Sequence, residues 1–108
     1  IYIEIGSSGD ENFLQSILLK YGNPDIVIDD GSHLSTDIKK AFSVLYNKTN
    51  ICYVIEDYGT QQKDFAGGGY INDGVPATNI MYDMINSLMI SRIMKSIKIY
   101  HSICFFFK

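Results

Sequence analysis

Two cysteines in 108 residues are too few for a disulfide framework, and no Cys/His spacing in the chain suits zinc. A reducing cytoplasm is the expected setting, and Cys52 and Cys104, each inside an apolar run, read as buried free thiols. Long uncharged apolar stretches are missing too. Met84 to Phe107 comes nearest, but Arg92, Lys95, Lys98 and His101 interrupt it too often for a spanning helix, so no membrane partner is expected. Positive charge is scarce. A formal net charge of -3 argues against a nucleic-acid backbone as the main partner. No secretory leader, internal repeat or linker is visible, and neither G-x-G-x-x-G nor a P-loop pattern occurs. Both ends look unlike natural termini, since Ile1 already lies in an alternating apolar run and Lys108 follows three phenylalanines. The expectation is a fragment, or a gene shortened at its front.

What remains is an ordinary globular composition, 46% hydrophobic and 19% charged, at a length that allows one domain at most. Tyr2 to Ile5 alternates and closes at Gly6, which predicts a strand, with a turn over Gly6 to Gly9. Asp10 is placed to cap a helix whose apolar face holds Phe13, Leu14, Ile17 and Leu18, and Gly22 and Pro24 stop it. Asp25 to Asp30 predicts a buried strand, and Thr36 to Tyr46 a helix burying Ile38, Ala41, Phe42 and Leu45. Ile51 to Asp57 is a strand apolar enough to be covered on both faces. Tyr58 to Pro76, holding Gly67-Gly68-Gly69, is a long loop whose glycines suit a lid hinge or plain loop. A helix starting at Pro76, Ala77 and Thr78 turns Ile80, Met81, Met84, Ile85, Leu88 and Met89 inward. Ser96 to Tyr100 and Ile103 to Phe107 form a hairpin about His101-Ser102. Strands alternating with helices give an α/β fold: a Rossmann-like, doubly wound, mainly parallel sheet with a C-terminal antiparallel hairpin.

The chemistry gathers at two strand ends. Asp25 to His33 reads D-I-V-I-D-D-G-S-H, and Tyr53-Val54-Ile55 runs into Glu56-Asp57. Neighbouring parallel strands lie roughly 5 Å apart, so one carboxylate of the first pair and one or two of the second can converge. Asp29 and Asp30 point to opposite faces while the strand stays extended, as do Glu56 and Asp57. Carboxylates brought that close repel unless a cation sits between them, and oxygen ligands favour Mg²⁺. The plainer reading makes Asp30 the start of an Asx-turn and Glu56 a solvated charge. His33 follows a glycine that permits a sharp turn, and its place at the rim beside a cation suits a general base. A lone histidine is otherwise more often structural. His101 has no role in this reading, and Gly6 to Gly9 is a weak phosphate cradle.

These residues resemble a known family. I-V-I-D-D-G-S-H at Ile26 to His33 and Y-V-I-E-D at Tyr53 to Asp57 are similar to the class I S-adenosylmethionine-dependent methyltransferases, and within them to the metal-dependent macrolide sugar O-methyltransferases of the mycinamicin and macrocin type. The cephalosporin hydroxylase-like group is the next nearest. Ile5 to Leu14, the segment through Gly67 to Tyr70, and Ser96 to Lys108 also fit, so residues 1–108 resemble one partial domain, from the family's third strand to its closing hairpin. The resemblance implies S-adenosylmethionine and Mg²⁺ as cofactors, with Asp30, Glu56 and Asp57 as metal ligands. It implies His33 as the base that takes a proton from a sugar-like hydroxyl acceptor. Gly6, Ser7 and Asp29 fall on its cofactor side. The family's glycine-rich loop and acidic ribose-binding residue would precede Ile1, and its Asp-Gln after the third strand reads Ser7-Ser8 here. The resemblance also sets the last strand between the third-from-last and the penultimate strand, which makes Cys52 and Cys104 neighbours that stay unpaired. The alternatives are a metal-dependent hydrolase or hydroxylase, and a non-catalytic binding or assembly remnant. An exposed strand edge in the latter would invite pairing with another chain, including a homo-oligomer.

Overall fold

The computed structural model describes residues 1–57 and 77–108. The expectations for Tyr58 to Pro76, among them the triple glycine and Tyr70, fall outside the described residues, as does the inward placement of Ile80.

Asp10 caps helix α1 (Glu11–Tyr21), its Oδ1 accepting the Asn12 and Phe13 N–H groups at 2.9 and 3.2 Å. Gly22 ends the helix at φ 82, a left-handed value that suits glycine. Strand β1 (Ile26–Asp29) follows, then α2 (Ser35–Leu45) with a 3₁₀ turn at Tyr46–Lys48. Strand β2 (Cys52–Glu56), helix α3 (Ala77–Ser91) and the hairpin β3 (Ser96–Ile99) and β4 (Ile103–Phe107) complete the order. Boundaries shift from the predicted ones by one or two residues at most, as fraying ends do.

The sheet runs β1-β2-β4-β3. β1 and β2 are parallel, and the β2–β4 and β4–β3 pairs are antiparallel. It is a mixed four-stranded sheet with the expected closing hairpin, compatible with part of a Rossmann-like fold. The last strand does lie between β2 and β3, and Cys52 and Cys104 sit on adjacent strands as buried free thiols.

The core lies on one face of the sheet. Alternate residues Tyr53 and Ile55 of β2 and Cys104 and Phe106 of β4, all fully buried, meet Ile38, Phe42 and Tyr46 from α2 and its turn, and Met81, Met84 and Leu88 from α3. Phe42 is the hub. Its ring stacks on Tyr46 at 4.6 Å and takes Tyr53 and Phe106 edge-on at 5.0 and 4.9 Å. Cys52 and Val54 on the opposite face are buried too, so β2 is covered on both sides as its composition predicts.

Three expectations change. Tyr2 to Ile5 is not a strand: no ladder partner stands beside it among the described residues, and Ile1, Tyr2, Ile3 and Ile5 are exposed. Alternation describes a pleated surface, but a strand needs a neighbour to bond to. The segment instead lies along α1, with Tyr2 and Tyr21 ring centroids 5.2 Å apart and Lys20 Nζ donating to Glu4 at 2.6 Å. β1 is buried on one face alone: α2 packs on the face of Val27 and Asp29, while Ile26 and Ile28 on the other face are 56% and 66% exposed among the described residues. Met89 is also exposed. At 3.6 residues per turn it projects about 100° from the centre of the Met81–Met84–Leu88 stripe, outside the arc that reaches the core.

Phe106→Ala is expected to cost about 3–5 kcal/mol, measured by chemical denaturation, because the Phe42, Tyr46 and Tyr53 rings cannot collapse into the space it leaves. Burial pushes the Cys104 thiol up to about 12. Alkylation at pH 8 should therefore leave Cys104 unlabelled in the folded protein and modify it fully in denaturant.

Candidate functional site

Parallel pairing of β1 and β2 in the register Val27↔Tyr53 and Asp29↔Ile55 brings both chains out at one rim of the sheet. That rim, at the carboxyl ends of parallel strands, is where α/β sheets place ligands. Asp30, His33 and Asp57 meet there, each offering a ligand atom, and these atoms lie within 4.8 Å of one another. His33 Nε2 stands 3.1 Å from Asp30 Oδ1.

Glu56 is not part of this group. Strict alternation would pair Asp30 with Glu56 across the sheet and send Asp57 to the other face. Asp57, however, has φ 53, and this left-handed turn ends the alternation. His33 is left-handed as well, at φ 59. Each such non-glycine residue costs about 1–2 kcal/mol, and strain of this kind collects at functional sites. The sequence offers only the tolerance of Asp and His for this region, so the choice of Asp57 over Glu56 was hidden in it.

The loop between Asp30 and α2 is held at both ends. At its rear, Ser32 Oγ donates to Asp37 Oδ2 at 2.7 Å and accepts the Leu34 N–H at 3.3 Å. At its front, Asp29 accepts the Gly31 N–H, and Tyr53 Oη donates to Asp29 Oδ2 at 2.9 Å. Asp29, expected on the cofactor side, is a residue 8% exposed, on the strand face that carries Val27. Burial raises its pKa, while the Tyr53 and Gly31 hydrogen bonds pull it back. In sequence Tyr53 is one residue of an apolar strand and carries no separate role. The signal that could have found it is its place on the same strand face as Val27 and Asp29, one diagonal step from the carboxylate.

Gly6 and Ser7 lie in the turn that abuts this loop. Ser7 Oγ accepts the Gly9 N–H at 3.1 Å, Gly9 lies against the Asp37 carboxylate, and Gly6 against the Phe13 ring. A Cβ on Gly31 would stand 2.5 Å from Ser8 Oγ, so the turn and the loop touch because Gly31 has no side chain. Ser35, at the start of α2, keeps a buried hydroxyl without a hydrogen-bond partner among the described residues.

The donor set fits a divalent cation. Oxygens around Mg²⁺, at about 2.1 Å each, lie no more than about 4.2 Å apart, so the group needs to close by about half an ångström. Two carboxylates suit a hard ion, whereas imidazole suits softer metals.

No protein-family profile matches the chain. Over 65 residues it is 40% identical to mycinamicin VI 2''-O-methyltransferase of Micromonospora griseorubida, covering 58% of this chain and 16% of that protein. Over 90 residues it is 30% identical to 8-demethyl-8-alpha-L-rhamnosyl tetracenomycin-C 2'-O-methyltransferase of Streptomyces olivaceus, covering 82% and 24%. The MycE methyltransferase from the mycinamycin biosynthetic pathway, in complex with Mg and SAH, matches with a TM-score of 0.78 at 28% identity over 95% of this chain and 30% of that one. The same enzyme with mycinamycin VI also bound gives 0.76 at 25% identity, over 98% and 31%. In sequence and fold the chain therefore resembles part of a class I S-adenosylmethionine-dependent methyltransferase. The resemblance is to the O-methyltransferases among these, and the chain spans 16% and 24% of the length of the two curated relatives.

The left-handed turn at His33 yields a direct comparison. His33→Gly should be more stable than His33→Ala by about 1 kcal/mol in denaturant titrations, since glycine alone adopts φ 59 without strain. Equal stabilities would show that this turn carries no strain.

Proposed function

We propose that the chain is the metal- and base-bearing part of an S-adenosylmethionine-dependent, Mg²⁺-dependent O-methyltransferase acting on a hydroxyl of a sugar or other small molecule. The observation that carries the reading is the Asp30–His33–Asp57 group at the shared end of two parallel strands. The activities named for the relatives, and the Mg, SAH and mycinamycin VI named with the solved neighbours, support it. Buried free thiols suit the cytoplasmic setting of such an enzyme.

In this reading Asp30 and Asp57 hold Mg²⁺, with Glu56 at the end of β2 as the adjoining acid. A bound Mg²⁺ supplies polarisation of the acceptor hydroxyl. His33 then moves the proton. In the tautomer whose Nε2–H donates to Asp30, Nδ1 keeps its lone pair and accepts the hydroxyl proton, and Asp30 stabilises the imidazolium that forms. The imidazole is 31% exposed, open enough for an acceptor to reach it. Gly6 and Ser7, in the turn against the loop, would border S-adenosylmethionine, which would supply the methyl group: the deprotonated acceptor oxygen would gain the methyl carbon as the carbon–sulfur bond breaks, and S-adenosylhomocysteine would leave. Positioning of the two reactants supplies most of the rate gain. The competing assembly role draws on the exposed Ile26 and Ile28 of the edge strand.

Titration calorimetry with Mg²⁺ and S-adenosylhomocysteine tests this. Mg²⁺ should bind, and Asp30→Asn or Asp57→Asn should weaken it by about tenfold or more, in line with the loss of a ligand's charge. Glu56→Gln, outside the group, should weaken it less. An absence of heat with either ligand would sink the enzyme reading and favour assembly.

A further inference from the structure

We propose that Tyr53 is a positioning residue for the metal and base group, acting through Asp29. The inference rests on the metal reading above. The chain of contacts starts in the core. The Tyr53 ring is fully buried and fixed by Phe42 at 5.0 Å and Tyr46 at 6.4 Å, so its hydroxyl has no freedom to wander. That hydroxyl donates to Asp29 Oδ2 at 2.9 Å, and the Asp29 carboxylate accepts the Gly31 N–H. Gly31 is the first residue of the turn that carries His33 into its left-handed conformation, and Asp30 lies between the two anchored residues. A ligand pair on either side of a turn keeps its spacing only while the turn is held. Asp30 and His33 are the exposed and half-buried members of that pair, with little packing of their own to hold them.

Other roles for the pair fit less well. Asp29 is too buried to meet a ligand, and the Tyr53 ring already supplies its packing without the hydroxyl. A buried phenol beside a buried carboxylate costs desolvation of both groups, which a phenylalanine–leucine pair would avoid. The hydroxyl is thus explained by what it orients. Groups that orient ligands from behind typically change metal affinity by about 10–100-fold when removed.

Tyr53→Phe is the test, in the protein in its complete natural chain. It removes one oxygen, changes no charge and keeps the ring. Two readouts separate positioning from plain destabilisation. By calorimetry, Mg²⁺ affinity should fall about tenfold or more, whereas Phe42→Leu, which loosens the same core but spares the hydroxyl, should leave it unchanged. By NMR without metal, the amide signals of Gly31, His33 and Asp57 should shift and exchange faster in Tyr53→Phe and stay in place in Phe42→Leu. Asp29→Asn should reproduce the amide changes, and combining it with Tyr53→Phe should add little, as for two residues in one unit. A Tyr53→Phe protein with unchanged amide signals and unchanged affinity overturns the inference and leaves the proposed function standing. A wild-type protein that binds no Mg²⁺ overturns the proposed function, and this inference with it.

Discussion

The parallel register of β1 against β2 is the constraint on which the site depends. Antiparallel pairing would put the two acidic ends at opposite rims, some four residues of strand apart. Parallel pairing with Asp29 opposite Ile55 brings Asp30 and Asp57 out side by side. That arrangement needs a crossover to return the chain to the start of the sheet. Helix α2 provides it, and its apolar face pins the crossover to the core.

Stability and function draw on the same strand. β2 lies between β1 and β4, and its buried residues join the aromatic cluster on one face. Its last residue, Glu56, is an acid, and Asp57 turns left-handed as soon as the strand ends. A well-packed strand can deliver a strained residue at its end because the packing behind it offsets a cost of about 1–2 kcal/mol. An edge strand with exposed Ile26 and Ile28 offers less, and there the Asp29 and Asp37 hydrogen bonds hold the turn instead.

Much of this was legible in the residues. Asp10 and Gly22 mark α1 by cap chemistry, which is local. The apolar run Cys52 to Ile55 announces a strand buried on both faces. The D-D-G-S-H segment signals reactive groups after a strand, and two such ends signal a shared site. Tyr2 to Ile5 misled because strand propensity carries no information about the presence of a partner. Met89 misled because hydrophobicity set its place in the pattern, whereas the width of the contact between α3 and the core set its burial.

By itself, then, the sequence determined the helices and strands from Asp10 onward, where their caps and turns fall, and which residue types gather at the strand ends. These are consequences of local sterics, hydrogen bonding and periodicity, which act over a few residues. The tertiary structure alone decided that Asp57 rather than Glu56 joins Asp30 and His33. It also turned Asp29 inward to Tyr53 and left Ile26 and Ile28 exposed. Each of these depends on which strands become neighbours and on a left-handed backbone angle held by packing around it. Such angles are costly in isolation, so no short stretch of sequence prefers them, and they appear only when the surrounding fold enforces them.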